Sequence, residues 1–179
     1  MHVSLSPAEA EQLVKHLGLV TIRSRAKLLN AGEVCRKVYF VNKGCLRVYH
    51  TDSEGIDHII SFSPENWWAT DIASFSCQKV SKFSIDAVEE TEVFYLDYNI
   101  LERLYIQVPK LERFFRILTQ NGYSILQRRM ISHKSKSALQ RYRMFKKQYP
   151  KLEQRISQKH IASFLGITPV FLSRLRQLT

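Results

Sequence analysis

The last fourteen residues, "GITPVFLSRLRQLT" (166–179), hold side chains whose spacing suits recognition rather than catalysis. Phe171, Leu172, Leu175 and Leu178 repeat at helical intervals, and Val170, Ser173, Arg174 and Gln177 fall on the opposite side. Just upstream, Ser157 can cap a helix that runs to Leu165. Ala162 is small where a second helix could press close, Gly166 sits at a sharp turn, and Ile167 can tuck beneath it. Thr168 can cap the next helix and Pro169 fits its first turn. Helix, tight glycine turn, helix is the helix-turn-helix signature, in which the N-terminal residues of the second helix face base edges in the major groove. On that geometry Pro169, Val170, Ser173 and Arg174 of the helix 168–178 read bases. Arg174 can set two parallel donors on guanine, worth about 1–3 kcal/mol of discrimination. Val170 and Pro169 can meet a thymine methyl. Ser157, Gln158, Lys159, Thr168 and Arg176 are placed to hold phosphate and set the register.

Charge agrees with this chemistry. The chain of 179 residues carries a net +11, but residues 1–100 hold 10 Lys+Arg against 13 Asp+Glu, and residues 101–179 hold 17 against 3. A basic half joined to a mildly acidic half suggests two jobs, one of them attraction of a polyanion such as double-stranded DNA. A solvated basic surface is the plainer alternative. Catalysis is not expected. The sequence has no phosphate-binding glycine loop, no Ser/His/Asp arrangement and no helical His-Glu-x-x-His. His50 and His58 are too far apart for a His-x-His metal pair, so no metal is expected. Cys35, Cys45 and Cys77 are odd in number and widely spaced, which fits reduced, semi-buried thiols. No apolar run reaches the roughly 18–20 residues of a membrane span. The start "MHVSLSPAEAEQL" lacks signal-peptide features, so a soluble, cytoplasmic protein is expected.

The elements that would position this stretch follow from periodicity. Ser6-Pro7 with Glu9 opens a short leading helix. Residues 20–97 show β-branched and aromatic runs broken by turn signals, the pattern of an all-β sandwich or barrel. "YNILERLYIQ" reads as a short helix ending near Val108-Pro109. A long helix is then read from Lys110 to Ser135. Its Leu111, Phe115, Leu118, Gly122 and Ile125 step like a coiled-coil seam, which predicts a homodimer, with Gly122 allowing close approach. The same seam could pack on the chain's own β domain. The expected division is a β-roll with flanking short helices over 1–108, a dimerisation helix over 109–132 and a helix-turn-helix domain over 133–179.

In this order of parts, and in "AGEVCRKVYFVNKGCLRVYH", "ENWWATDIASF", "PKLERFFRIL" and "QKHIASFLGITPVFLSRLR", the chain resembles the Crp/Fnr family of bacterial transcription regulators, in wording most like its Bacteroidetes-type branch. The resemblance implies an α+β protein. Its parts would be an N-terminal β-roll (a double-stranded β-helix or jelly roll, like a cyclic-nucleotide-binding domain), a long dimerisation helix and a C-terminal helix-turn-helix. It further implies pseudo-palindromic DNA sites, and RNA polymerase as a partner if the chain activates. Relatives often add a two-stranded wing after the recognition helix. The chain stops at Thr179, so the wing is expected to be absent or very short. Members that bind cyclic AMP hold it with a Gly-Glu pair and an Arg-Ser pair, which fall here on Thr70-Asp71 and Ser81-Lys82. Ser81 supplies no guanidinium, and residues 81 and 82 should face opposite sides of a strand, so cyclic AMP is not expected to bind tightly. A diverged effector pocket would draw on Trp67, Trp68, Thr70, Asp71, Ser81 and Lys82, with the effector unidentified. The two tryptophans could equally pack the β core. The alternative function is a small-ligand-binding regulator that acts through protein partners.

Overall fold

The computed structural model describes residues 3–177. Helix α1 (Pro7–His16) is closed at its start by a capping box: Ser6 accepts from the Glu9 amide and the Glu9 carboxylate accepts from the Ser6 amide. Eight strands follow: β1 (Gly18–Ile22), β2 (Lys27–Leu29), β3 (Lys37–Lys43), β4 (Leu46–Thr51), β5 (Asp57–Ser63), β6 (Trp68–Ala69), β7 (Ser84–Ala87) and β8 (Thr91–Asp97), with α2 (Ile72–Cys77) between β6 and β7. They form two antiparallel four-stranded sheets, ordered β1-β8-β3-β6 and β2-β7-β4-β5. Val38, Val41, Leu46, Val48, Ile85, Val93 and Leu96 belong to one buried core. Alternation along β4 puts Leu46 and Val48 on one face. Gly44 makes the turn between those strands at φ +95°, and a Cβ there would come within 2.6 Å of the Glu90 carbonyl oxygen.

The helical half begins with α3 (Tyr98–Gln107), whose Leu101 and Leu104 complete the sandwich core. Pro109 starts α4 (Pro109–Ser135), and α5 (Ala138–Gln148), α6 (Leu152–Arg155), α7 (Gln158–Leu165) and α8 (Pro169–Arg176) follow. A second core joins the sandwich to these last helices. Cys45, Tyr49, Ile59 and Phe62 come from the strands, and Tyr142, Phe145, Tyr149, Ile161, Ala162, Phe164 and Leu172 from the helices. Phe62 has no exposed surface and packs its ring on Phe145, Tyr149 and Phe164, with centroids 6.3, 6.2 and 5.4 Å away.

The long helix runs to Ser135, as its sequence reads. The structure corrects three details of the sequence reading. Helix α8 ends at Arg176, and Leu178 lies outside the described residues. Phe171, expected on the inner side of α8, is 43% exposed, because Leu172 and Leu175 already fill the contact with α7. Ser81 and Lys82 lie in an irregular stretch and not in a strand, although they do point opposite ways, Ser81 buried and Lys82 exposed.

The first turns of the stripe read as a dimer seam face the chain's own β domain. Leu111 is buried in the sandwich core and Phe115 packs against it. One step beyond Ile125, Arg129 donates to the carbonyls of Ile59, at 3.0 Å, and Ile60 on β5. Leu118 is half-buried, and Gly122 and Ile125 are exposed between these contacts. Among the described residues, no atom beyond the helix's own backbone and the adjoining residues lies within 4 Å of where a Gly122 Cβ would be, so close approach at this glycine is not used among them. Tyr123, Leu126 and Met130, on an adjacent face of α4, are also exposed.

Candidate nucleic-acid interface

Ser157 caps α7 by accepting from the His160 amide at 3.3 Å. The helix buries Ile161, Ala162, Phe164 and Leu165 and stops at Gly166, whose φ of +66° is left-handed. The Ile167 amide then donates back to the Ala162 carbonyl at 3.0 Å. Thr168 caps α8 by accepting from the Phe171 amide at 3.2 Å, and Pro169 occupies the first turn. Leu172 and Leu175 anchor α8 inward. Pro169, Val170, Ser173 and Arg174 therefore stand exposed on one outward face, with Phe171 at its edge.

Ser157, Gln158, Lys159 and Thr168 are also exposed, at the N-terminal ends of α7 and α8. There the free amides and helix dipoles favour an anion such as phosphate. Arg176 differs: its Nε is 2.9 Å from a Glu153 carboxylate oxygen, which also accepts from the Tyr142 hydroxyl. Its charge is thus engaged within the protein. Sequence reasoning missed Arg141, whose guanidinium donates to the Leu165 carbonyl at 3.1 Å and the Lys136 carbonyl at 2.8 Å, closing the ends of α7 and α4 together. Nothing in its local sequence sets it apart from neighbouring Arg143.

Of the six residues named for an effector pocket, Asp71 and Ser81 meet directly. Asp71 caps α2, accepting from the Ala73 and Ser74 amides at 3.1 and 3.3 Å, and its other oxygen accepts from the Ser81 hydroxyl at 2.6 Å. Both are buried, so the carboxylate has its partners within the protein. Thr70 donates to the Lys37 carbonyl at 3.2 Å, and Lys82 points to solvent. Trp67 packs on Tyr149 at 5.5 Å, whereas Trp68 packs on Phe40 and Phe115, both at 5.2 Å. Both tryptophans thus pack against aromatic rings. Trp68 also lines an apolar cavity of about 310 Å³ with Leu13, Phe94 and Phe114. Cys45 is enclosed and burial pushes its thiol up to about 12, far from a reactive thiolate. Among the described residues no three His, Cys, Asp or Glu side chains are grouped to hold a metal, and no helix is long and apolar enough to cross a membrane.

The outward helices are fastened to the sandwich by polar contacts as well as by the second core. Ser163 lies on the edge of β5, accepting from the Ile59 amide at 3.0 Å and donating to the Asp57 carbonyl at 2.7 Å. Arg129 adds a bond to the Phe164 carbonyl at 3.3 Å. Arg155 on α6 pairs with Glu65 and Glu89. Arg47 on β4 grips Asp86 through two bonds of 2.7 Å, reaches Asp57 at 3.2 Å, and sets Nη1 2.9 Å from His160 Nε2 on α7. Burial, and then the adjacent Arg47 charge, hold the His160 imidazole below its ordinary pKa.

Residues 19–107 match the cyclic nucleotide-binding domain family. No curated protein matches by sequence at a significant level. Among solved structures, FixK2 from Bradyrhizobium japonicum superposes with a TM-score of 0.81 at 18% identity, over 90% of this chain and 83% of that one. The c-di-GMP-responsive global regulator CLP from Xanthomonas campestris gives 0.73 at 14% identity, over 96% and 90%. A putative crp/fnr-family transcriptional regulator from Eubacterium rectale gives 0.73 at 18% identity, over 97% and 83%. At these identities the likeness concerns the fold, and it extends through the C-terminal helices as well as the sandwich.

Proposed function

We propose, taking residues 19–107 as a cyclic nucleotide-binding domain, that the chain is a sequence-specific DNA-binding transcription regulator of the Crp/Fnr type. The observation that carries this reading is the exposed face of Pro169, Val170, Ser173 and Arg174, held outward by buried Leu172 and Leu175 at the end of the basic half. Helix α8 enters the major groove and Arg174 takes guanine through two donors, with Val170 and Pro169 against thymine methyls. Ser157, Gln158, Lys159 and Thr168 hold phosphates on either side of the turn. Arg176 buttresses α8 through Glu153 rather than reaching DNA.

Two copies act together, reading half-sites about one helical turn apart. The apolar face of Tyr123, Leu126 and Met130, together with Gly122 and Ile125 beside it, forms the dimer contact along α4. Cyclic AMP is not the effector. The position that would need an arginine for its phosphate is Ser81, and Asp71 is closed onto that serine. The reaction class is binding, and polymerase contact or site overlap decides the sign of regulation.

The interface can be tested without a known operator. Affinity for an arbitrary 30-base-pair duplex, followed by fluorescence anisotropy, should fall steeply with salt as counterions are released. Lys159→Ala should flatten the logarithmic slope by about one unit. Unchanged affinity between low and physiological salt, or an unchanged slope in the variant, would remove the phosphate role assigned to this end of α7.

A further inference from the structure

His160 follows directly on the three residues assigned to phosphate, Ser157, Gln158 and Lys159, and its side chain turns the other way, toward the sandwich. It meets Arg47, which is 113 residues away in sequence. We propose that His160 is the positioning residue through which the sandwich sets the DNA-facing end of α7, and that the contact holds only while its imidazole is neutral. The inference rests on the DNA-binding reading above and adds how that site is regulated.

The geometry allows one protonation state. An arginine has donors only, so Nη1 at 2.9 Å requires His160 Nε2 to accept. The ring proton then sits on Nδ1, which is buried and makes no hydrogen bond among the described residues. A second proton would place two cations at hydrogen-bond distance. The charged groups facing the ring are Arg47 from β4, Asp57 from β5, Asp86 from β7 and Lys159 from α7 itself. Both aspartates are already engaged by Arg47. Both Asp86 oxygens accept from Arg47, while one Asp57 oxygen accepts from Arg47 and the other from the Thr51 hydroxyl at 2.9 Å. Arg47 itself donates three bonds to those carboxylates and stacks at 4.1 Å on Tyr49, so it cannot swing away cheaply.

The sign of the pH dependence follows. The docked imidazole has a lowered pKa, so the undocked state binds the proton more readily. The contact is at full strength above the ordinary histidine range and is lost as pH falls through that range to the lowered value. At the same α7 end, Lys159, Gln158 and Ser157 then lose their fixed placement. Acidification is therefore read out at the phosphate-facing residues without an effector.

His160→Gln keeps an acceptor near the Nε2 position and removes the titration. Thermal midpoint and duplex affinity would be measured for both proteins at about pH 7.5 and about pH 5.5, spanning the histidine range. Both should match at the higher pH. At the lower pH the parent should lose severalfold more DNA affinity, and more of its midpoint, than the variant. Equal midpoint shifts in the two proteins would overturn the contact. A midpoint difference without an affinity difference would overturn the positioning role. If neither protein binds DNA at either pH, the DNA-binding reading fails by itself, and the midpoints still decide whether the neutral contact exists.

Discussion

Phe62→Ala will lower stability by about 3–5 kcal/mol, the range for removing a fully buried aromatic ring. The melting midpoint should drop by on the order of 10 °C for a chain of this size. Phe62 belongs to β5, yet the rings it touches, Phe145, Tyr149 and Phe164, belong to the C-terminal helices. The cavity would open between the two halves and not within either. Amide exchange in α5 to α8 should therefore accelerate before exchange in the sandwich strands, whose own core of Val41, Leu46, Ile85 and Leu96 is untouched. A loss under about 1 kcal/mol would mean that the two halves do not share this core in solution.

Arg174→Ala will cost sequence discrimination more than general affinity. The bidentate guanine contact is worth about 1–3 kcal/mol, a factor of roughly 5 to 150 between the preferred site and one altered at that base pair. Affinity for arbitrary DNA should change far less, since the condensed-ion contribution of one charge is spread over all sequences. The measurement is a competition titration with matched and altered duplexes. Equal weakening on both would move Arg174 to the phosphate class and leave Ser173 and Val170 as the base readers. The exposed ring of Phe171, at the edge of this face, offers a further apolar contact.

What the sequence made legible is what local chemistry encodes. The caps Ser6, Ser157 and Thr168, the left-handed Gly166 and the inward pair Leu172 and Leu175 each follow from residue type and short-range spacing. Strands β3, β4, β5, β7 and β8 showed themselves through β-branched runs and turn signals. What was not legible depends on partners distant in sequence. A stripe of apolar residues at steps of 3 and 4 says that one face of α4 is covered, but not by what. Here Leu111 and Phe115 turn its first part to the chain's own sandwich, while Gly122 and Ile125 stay exposed. Asp71 reads as a ligand-binding carboxylate until the Ser81 hydroxyl, ten residues on, is found to occupy it. The fastening of α7 through Arg47 and His160 carries no periodic signal at all, because each residue is an ordinary member of its own strand or helix.

The whole account turns on whether α8 reads sequence. The direct measurement is selection of bound DNA from a random pool by the protein alone, at about 0.15 M salt, where screening suppresses nonspecific attachment. The account predicts recovery of a palindrome with G·C pairs in each half and half-site centres about one helical turn apart. A pool that stays random while the protein still retains DNA would contradict it, leaving a basic surface that holds the backbone and reads nothing.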